Sequence, residues 1–296
     1  MTATLRDVVL AARARLVAAG IGVNEAPMDA ALLARHALGW DLARLLAHET
    51  DTPPDGFLPA FESILARRAR REPMSSITGR REFWGLEFEV GPDVLAPRPE
   101  TELIVEEAIA CLTAAGQDFS PVLQPTIVDV GTGSGCLAVS LAREFPGARV
   151  VATDISSAAL AIAARNARRH GVGDRVDFRH TSLLEGVSGP ATLVVSNPPY
   201  VPADDIDGLP PEVREWEPRQ ALDGGPDGLD VIRRLLAGAP AVLAPGGWLI
   251  MEFGFGQAQV VPDLVCKSPL ELMGIRKDLQ QIPRTLVARM PGSRDS

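Results

Sequence analysis

Two short stretches combine residue types that could do chemistry. The first is Asn197-Pro198-Pro199-Tyr200, directly after the apolar run Leu193–Ser196. Residues just past the end of a buried strand are where open α/β sheets bind their ligands. The Asn197 side-chain oxygen and the Pro198 carbonyl are hydrogen-bond acceptors held close together, and the two prolines stiffen the backbone between them. Each can take one N–H of an amide or amine and turn its lone pair toward an electrophile. A planar amide nitrogen is a poor nucleophile because its lone pair is delocalised into the carbonyl, so alignment supplies most of the rate. No strong general base is needed, since the nitrogen becomes acidic once alkylated. Tyr200 adds a flat face able to stack on an amide and to border a cation. Asn197, Pro198 and Tyr200 are the expected catalytic residues, and the same three with Pro199 the expected substrate contacts. The competing reading is a Pro-Pro turn with a capping Asn197.

The second stretch is Asp129-Val130-Gly131-Thr132-Gly133-Ser134-Gly135, where a strand must turn tightly into a helix and let a ligand approach the backbone. A nicotinamide fingerprint needs its third glycine at position 136, which is Cys136. The G-x-G-x-G spacing instead resembles the methyltransferase form of the turn, in which a helix N-terminus faces the methionyl carboxylate of S-adenosyl-L-methionine. Asp154 follows at the end of the next strand, where an acid can accept both ribose hydroxyls. It could otherwise cap the helix that begins near Ala158. Ser182 and Leu183 follow the third strand at the edge of the adenine pocket. In methyltransferases with the turn that this stretch resembles, an acid is common where Ser182 stands. The expected cofactor contacts are Gly131, Thr132, Gly133, Ser134, Gly135, Asp154, Leu183 and Asn197, with S-adenosyl-L-methionine as the cofactor and no metal.

These stretches need a scaffold, and the periodicity predicts one. Leu5, Val8, Val9, Ala12, Leu16 and Val17 recur at helical spacing before Gly20. A second helix follows from an Asn24 cap to Leu38 and Gly39, and Pro53-Pro54 marks a break. Between Glu82 and Val94 the aromatic and apolar alternation with Gly85 predicts a β-hairpin connector. Pro97 to Glu102 then opens a helix to about Ala115. After a loop from Pro121 to Pro125, strands at Thr126–Val130, Val150–Thr153 and Val176–Arg179 alternate with helices at Leu137–Arg143 and Ala158–Arg169. Further strands at Leu193–Ser196 and Trp248–Phe253 flank a helix at Leu229–Leu243, and late strands lie at Leu272–Arg276 and Thr285–Met290. The expected fold is α/β: a Rossmann-like, doubly wound, mostly parallel sheet, joined through the hairpin to a small all-helical N-terminal domain. The expected boundaries are 1–80 for a helical substrate-docking domain, 81–96 for the hairpin linker and 97–296 for the methyltransferase domain.

Composition narrows the partners. At 296 residues and a net charge of -9, the surface as a whole repels phosphate backbones. The one basic cluster, Arg67, Arg68, Arg70 and Arg71, reads more simply as a solvated helix end than as a nucleic-acid patch. Cys111, Cys136 and Cys266 are too few and too far apart for a disulfide framework or zinc site, and fit a reducing cytoplasm. His36, His48, His170 and His180 do not pair at metal-ligand spacing. No secretory h-region and no run of about 18 apolar residues appears, so neither export nor a membrane is expected.

Beyond the tetrapeptide, the chain contains Arg71-Glu72-Pro73, Phe83-Trp84-Gly85-Leu86-Glu87-Phe88, Val94 through Glu102, Glu217-Pro218 and Ala221-Leu222-Asp223-Gly224-Gly225. With these motifs the sequence resembles, over nearly its whole length, the HemK/PrmC family of release factor glutamine methyltransferases. The resemblance implies methylation of the glutamine in the Gly-Gly-Gln motif of class I peptide chain release factors, which become the expected protein partners. It departs from the family at Ser75-Ser76, where Gln-Tyr is common, and at Gln281-Ile282-Pro283-Arg284, which lacks a glycine before the arginine. These departures bear on substrate docking. A ribosomal-protein glutamine methyltransferase shares the tetrapeptide but tends to carry Pro-Arg-Ser-Pro where this chain has Pro97-Arg98-Pro99-Glu100. An adenine-specific DNA methyltransferase would need a target-recognition region and a basic cleft. A cofactor-binding scaffold would not require Asn197 and Tyr200, and a nicotinamide oxidoreductase would need a hydride-transfer acid that the sequence does not show.

Overall fold

The structure, a computed structural model, describes residues 3–114 and 125–292. The expected helix end at Ala115 and the loop from Pro121 up to Pro125 fall outside the described residues. Two compact units emerge from the packing, one formed by Met1–Gly79 with Pro210–Trp216 and the other by Arg80–Leu209 with Glu217–Ser296.

The first unit contains α1 (Leu5–Ala18), α2 (Ala26–Leu38), α3 (Leu42–Ala47), α4 (Phe57–Ala69) and α5 (Met74–Thr78). Thr4 and Asp7 close a capping box at the start of α1: the Thr4 hydroxyl accepts from the Asp7 N–H at 3.2 Å, and the Asp7 carboxylate accepts from the Thr4 N–H at 2.9 Å. Glu25, not Asn24, occupies the cap position of α2. Pro27 in the first turn sets that entry, since its missing donor is one the helix start leaves unpaired anyway. Leu5, Leu16, Leu33, Phe61 and Leu65 form the core.

The basic cluster belongs to this unit and, at three of its four positions, is tied to carboxylates rather than left as a solvated helix end. Arg68 is only 6% exposed and bonds Asp29 at 2.7 Å, Glu212 at 3.2 Å and the Glu72 carbonyl at 3.2 Å. Arg71 forks onto Glu212 at 2.5 and 2.8 Å, and Arg67 onto Glu72. Fork geometry to carboxylates explains arginine here, and buried charges of this kind are kept only when paired.

The second unit opens with the hairpin β1 (Arg80–Phe83) and β2 (Leu86–Glu89), paired antiparallel. It is packed into this unit rather than strung out as a linker. Phe83 and Phe88 are buried in the main core, and Asn166 clamps the strand end, its carbonyl accepting from the Glu89 N–H and its amide donating to the Glu89 carbonyl.

Then come α6 (Glu102–Ala114), β3 (Thr126–Val130), α7 (Cys136–Glu144), β4 (Arg149–Asp154), α8 (Ser157–Arg169), β5 (Val176–His180) and β6 (Ala191–Ser196). The chain continues through α9 (Pro211–Arg214), which packs with the first unit, and α10 (Asp230–Val242), β7 (Leu243–Glu252), α11 (Val260–Cys266), β8 (Glu271–Lys277) and β9 (Pro283–Arg289).

The sheet order is β5-β4-β3-β6-β7-β9-β8; β3 to β7 run parallel, and β9 is antiparallel to both its neighbours. Ile127, Val128 and Val130 on β3 are buried on both faces, which is why that strand reads as an apolar run interrupted only by Asp129. Strand order reverses between β3 and β6, so the sheet splays open there and leaves a crevice beyond their carboxyl ends. No helix among the described residues is long and apolar enough to cross a membrane.

Candidate active site

The two stretches singled out from the sequence meet at that switch point. Val130 and Ser196 are register partners on β3 and β6, and the Ser196 hydroxyl donates to the Val130 carbonyl at 2.7 Å. A cavity of about 360 Å³ opens directly beyond. Of the expected site residues, Gly131, Thr132, Gly133, Ser134, Asp154, Leu183, Asn197 and Pro199 line it, while Gly135, Pro198 and Tyr200 do not.

The glycine turn is built almost entirely from its own neighbourhood. Gly131 and Thr132 N–H groups both donate to the Thr153 carbonyl at 2.9 Å. Asp129, fully buried at the end of β3, accepts from the Thr132 hydroxyl at 2.6 Å and from the Ala138 N–H at 3.0 Å. Burial pushes its carboxyl up to about 7, against the pull of those two hydrogen bonds. Asp154 reaches back to the turn, accepting from the Gly133 N–H at 2.9 Å and from the Ser156 N–H at 2.8 Å.

The helix cap is Ser156, whose hydroxyl accepts from the Ala159 N–H, so Asp154 is not the cap of α8. Each of its oxygens keeps a lone pair for a hydroxyl in the cavity. Gly135 has another purpose: at φ +81°, a Cβ there would lie 3.0 Å from the Ala163 side chain, so its absence lets α7 sit against α8.

The cavity wall itself indicates what it can hold. The Ser134 hydroxyl is buried without a hydrogen-bond partner among the described residues. A buried polar atom of this kind is normally satisfied, so a polar ligand group suits the wall at that point. Leu183 supplies an apolar edge, and the Ser182 hydroxyl accepts from Arg234 at 2.9 Å. An aminoacyl nucleoside with a carboxylate, a diol and a flat base fits this sequence of surfaces. Among the described residues no group of His, Cys, Asp and Glu is placed to hold a metal.

The tetrapeptide is held from farther away. Asn197 Nδ2 donates to Thr101 Oγ1 at 2.9 Å, and Thr101 in turn donates to Glu252 Oε2 at 2.7 Å. The Tyr200 hydroxyl donates to the other oxygen, Oε1, at 3.0 Å. Glu252 is 1% exposed at the end of β7. Burial pushes its carboxyl above the ordinary range, opposed by the two hydroxyl donors and the charge of Arg284. Burial and then the neighbouring Glu252 raise the Tyr200 phenol further, so it stays a donor. The Tyr200 ring packs against the core beneath the sheet end, with its hydroxyl turned inward. Arg98, another lining residue, pairs with the largely buried Glu217 at 2.6 Å.

Thr101 and Glu252 escaped the sequence reading. Thr101 lies inside the Pro97 to Glu102 stretch, where it reads as a helix start. Glu252 did leave a trace, as an acid within the apolar run from Trp248 to Phe253.

Residues 7–79 match the model of the PrmC N-terminal domain and residues 110–208 that of the methyltransferase small domain. The release factor glutamine methyltransferase of Cereibacter sphaeroides is 44% identical over 287 residues, covering 97% of this chain and 99% of that one. The protein of the same name from Geobacter sulfurreducens is 46% identical over 241 residues, 81% of each. Among solved structures, a methyltransferase from Pyrococcus furiosus superposes with a TM-score of 0.51 at 19% identity, covering 76% of this chain and 98% of that one, which speaks for the fold alone. On near full-length identity to its relatives, the chain belongs to the release factor glutamine methyltransferase family.

Proposed function

We propose that the chain transfers a methyl group from S-adenosyl-L-methionine to the side-chain amide nitrogen of the glutamine in the Gly-Gly-Gln motif of class I release factors. The observation that carries this reading is the Asn197 carboxamide, fixed by its Nδ2 end to Thr101 at the rim of the cavity. S-adenosyl-L-methionine, when bound, supplies an electrophilic methyl group. Asp154 would hold the ribose diol, Ser134 and the start of α7 the carboxylate, and Leu183 the base. Asn197 Oδ1 and the Pro198 carbonyl each take one N–H of the glutamine amide, which leaves the nitrogen lone pair directed into the cavity. Pro198 and Pro199 keep that backbone acceptor from drifting. The surplus proton can leave to water after transfer, so the scheme needs no ionisable base beside the amide.

The helical unit, expected from the sequence as residues 1–80, is the docking surface for the rest of the release factor. A folded protein substrate needs contact area well beyond one pocket. Val23 and Met28, exposed on and before α2, are suited to such contact. The reading belongs to the cytoplasm, where release factors are made and thiols stay reduced. The experiment is mass spectrometry of a purified release factor after incubation with the enzyme and S-adenosyl-L-methionine. One methyl group on the Gly-Gly-Gln glutamine is the expected product; an unmodified release factor, or a methylated ribosomal protein in its place, overturns the reading.

A further inference from the structure

The hydrogen bonds behind the tetrapeptide run in one direction, and one buried group sets that direction. Both oxygens of Glu252 accept: Oε1 takes the proton of Tyr200 at 3.0 Å, and Oε2 takes the single proton of Thr101 at 2.7 Å. The Thr101 oxygen is then left facing Asn197 as an acceptor, and only the NH₂ end of the carboxamide can meet it, at 2.9 Å. The oxygen end consequently faces the cavity. Were the chain to run the other way, Asn197 would turn its NH₂ toward the cavity and meet an incoming N–H donor with donors.

We propose that Glu252, acting through Thr101, is the positioning residue that decides which end of Asn197 faces the substrate amide. This rests on the reading that Asn197 accepts from a glutamine N–H. The same carboxylate holds Tyr200 through Oε1 at 3.0 Å, so it ties both ends of the tetrapeptide to the end of β7. Thr101 and Glu252 are 151 residues apart in the chain, and neither belongs to the turn that holds the cofactor. Burying an acid at the end of a core strand costs stability unless its oxygens are engaged, and here both are engaged by donors that serve the site.

The test is a reversal of polarity. Asn197→Asp has no proton to give Thr101, which is then contested by two carboxylates. Adding Glu252→Gln supplies an N–H to the Thr101 oxygen and frees the Thr101 proton for the carboxylate introduced at position 197. The other oxygen of that carboxylate can then face the cavity as an acceptor. Single-turnover methylation of an intact release factor at saturating cofactor is expected to fall about 10²-fold in Asn197→Asp. It is expected to recover by about tenfold when Glu252→Gln is added, although Glu252→Gln alone slows the wild type. A folded double variant no faster than Asn197→Asp overturns the proposal.

Should the pair fail to fold, Thr101→Val and Thr101→Ser decide. Serine keeps the relay and most of the rate, whereas valine, of the same shape without a hydroxyl, loses about tenfold or more. Equal rates in these two variants overturn the proposal. Wild-type enzyme is assayed alongside: one unable to methylate the release factor overturns the substrate reading and this inference with it, while an active wild type without rescue overturns this inference alone.

Discussion

The two walls of the cavity are made in different ways. On the cofactor side the shaping contacts are local: Thr132 and Ala138 to Asp129, three and nine residues away, and Gly133 to Asp154, 21 residues away. On the acceptor side Asn197 depends on Thr101, 96 residues earlier, and Tyr200 on Glu252, 52 residues later. A local loop can be damaged only by changes nearby. The acceptor segment can be misaligned by changes in α6's entry or in β7, far away in sequence, because its orientation is a property of the assembled sheet.

The acceptor side is most sensitive at Asn197. Asn197→Ala is expected to slow single-turnover methylation by about 10²–10³-fold, or about 2.7–4 kcal/mol, the scale for losing one preorganised donor or acceptor at a reacting centre. Cofactor affinity should fall far less. A merely capping Asn197 would instead cost about 1 kcal/mol of stability and spare turnover per folded molecule. A folded variant keeping more than about a tenth of the wild-type rate contradicts the catalytic role.

On the cofactor side the largest effect should appear in stability, through Asp129. Its carboxyl sits near 7 in the folded chain against an ordinary 3.8. The native state therefore holds a proton that the unfolded chain has lost between those values, so stability falls as pH rises through that window. Asp129→Asn removes the titration and should gain on the wild type by on the order of 4 kcal/mol between about pH 4 and pH 8 in urea unfolding. A difference that stays constant with pH would mean that the site does not titrate in this window.

Asp154→Ala should weaken cofactor binding by about 2–3 kcal/mol, the scale for hydrogen bonds to a charged group. Calorimetric affinity within twofold of wild type would remove its ribose role. The smallest effect is expected at Gly135, where alanine meets both strain at φ +81° and Ala163 at 3.0 Å. A loss of about 1–2 kcal/mol in melting experiments, with little change in cofactor affinity at a temperature where the protein stays folded, would mark it as a packing glycine. Equal losses of stability and affinity would return it to the binding turn.

The order of strands and helices and the local glycine turn can be read from the residues alone. Strand β3 is predicted residue for residue at Thr126–Val130, since a strand buried on both faces leaves a mainly apolar record, broken only by Asp129, between a proline and glycines. The glycine turn is legible for the same reason: the residues that shape it are neighbours along the chain. Asn197 and its prolines are legible as chemistry, because their types are unusual at a strand end.

How those residues are held follows from the assembled fold. It brought Thr101 and Glu252 beneath Asn197 and Tyr200 and turned the Tyr200 hydroxyl inward. It also paired Arg68 and Arg71 with Glu212, and clamped the hairpin to Asn166. The physical reason is common to all of these. Periodicity records which face of an element is buried, whereas the partner of a buried polar group depends on which strands become neighbours and in what register, and the β3–β6 and β6–β7 pairings exist only once the sheet has formed.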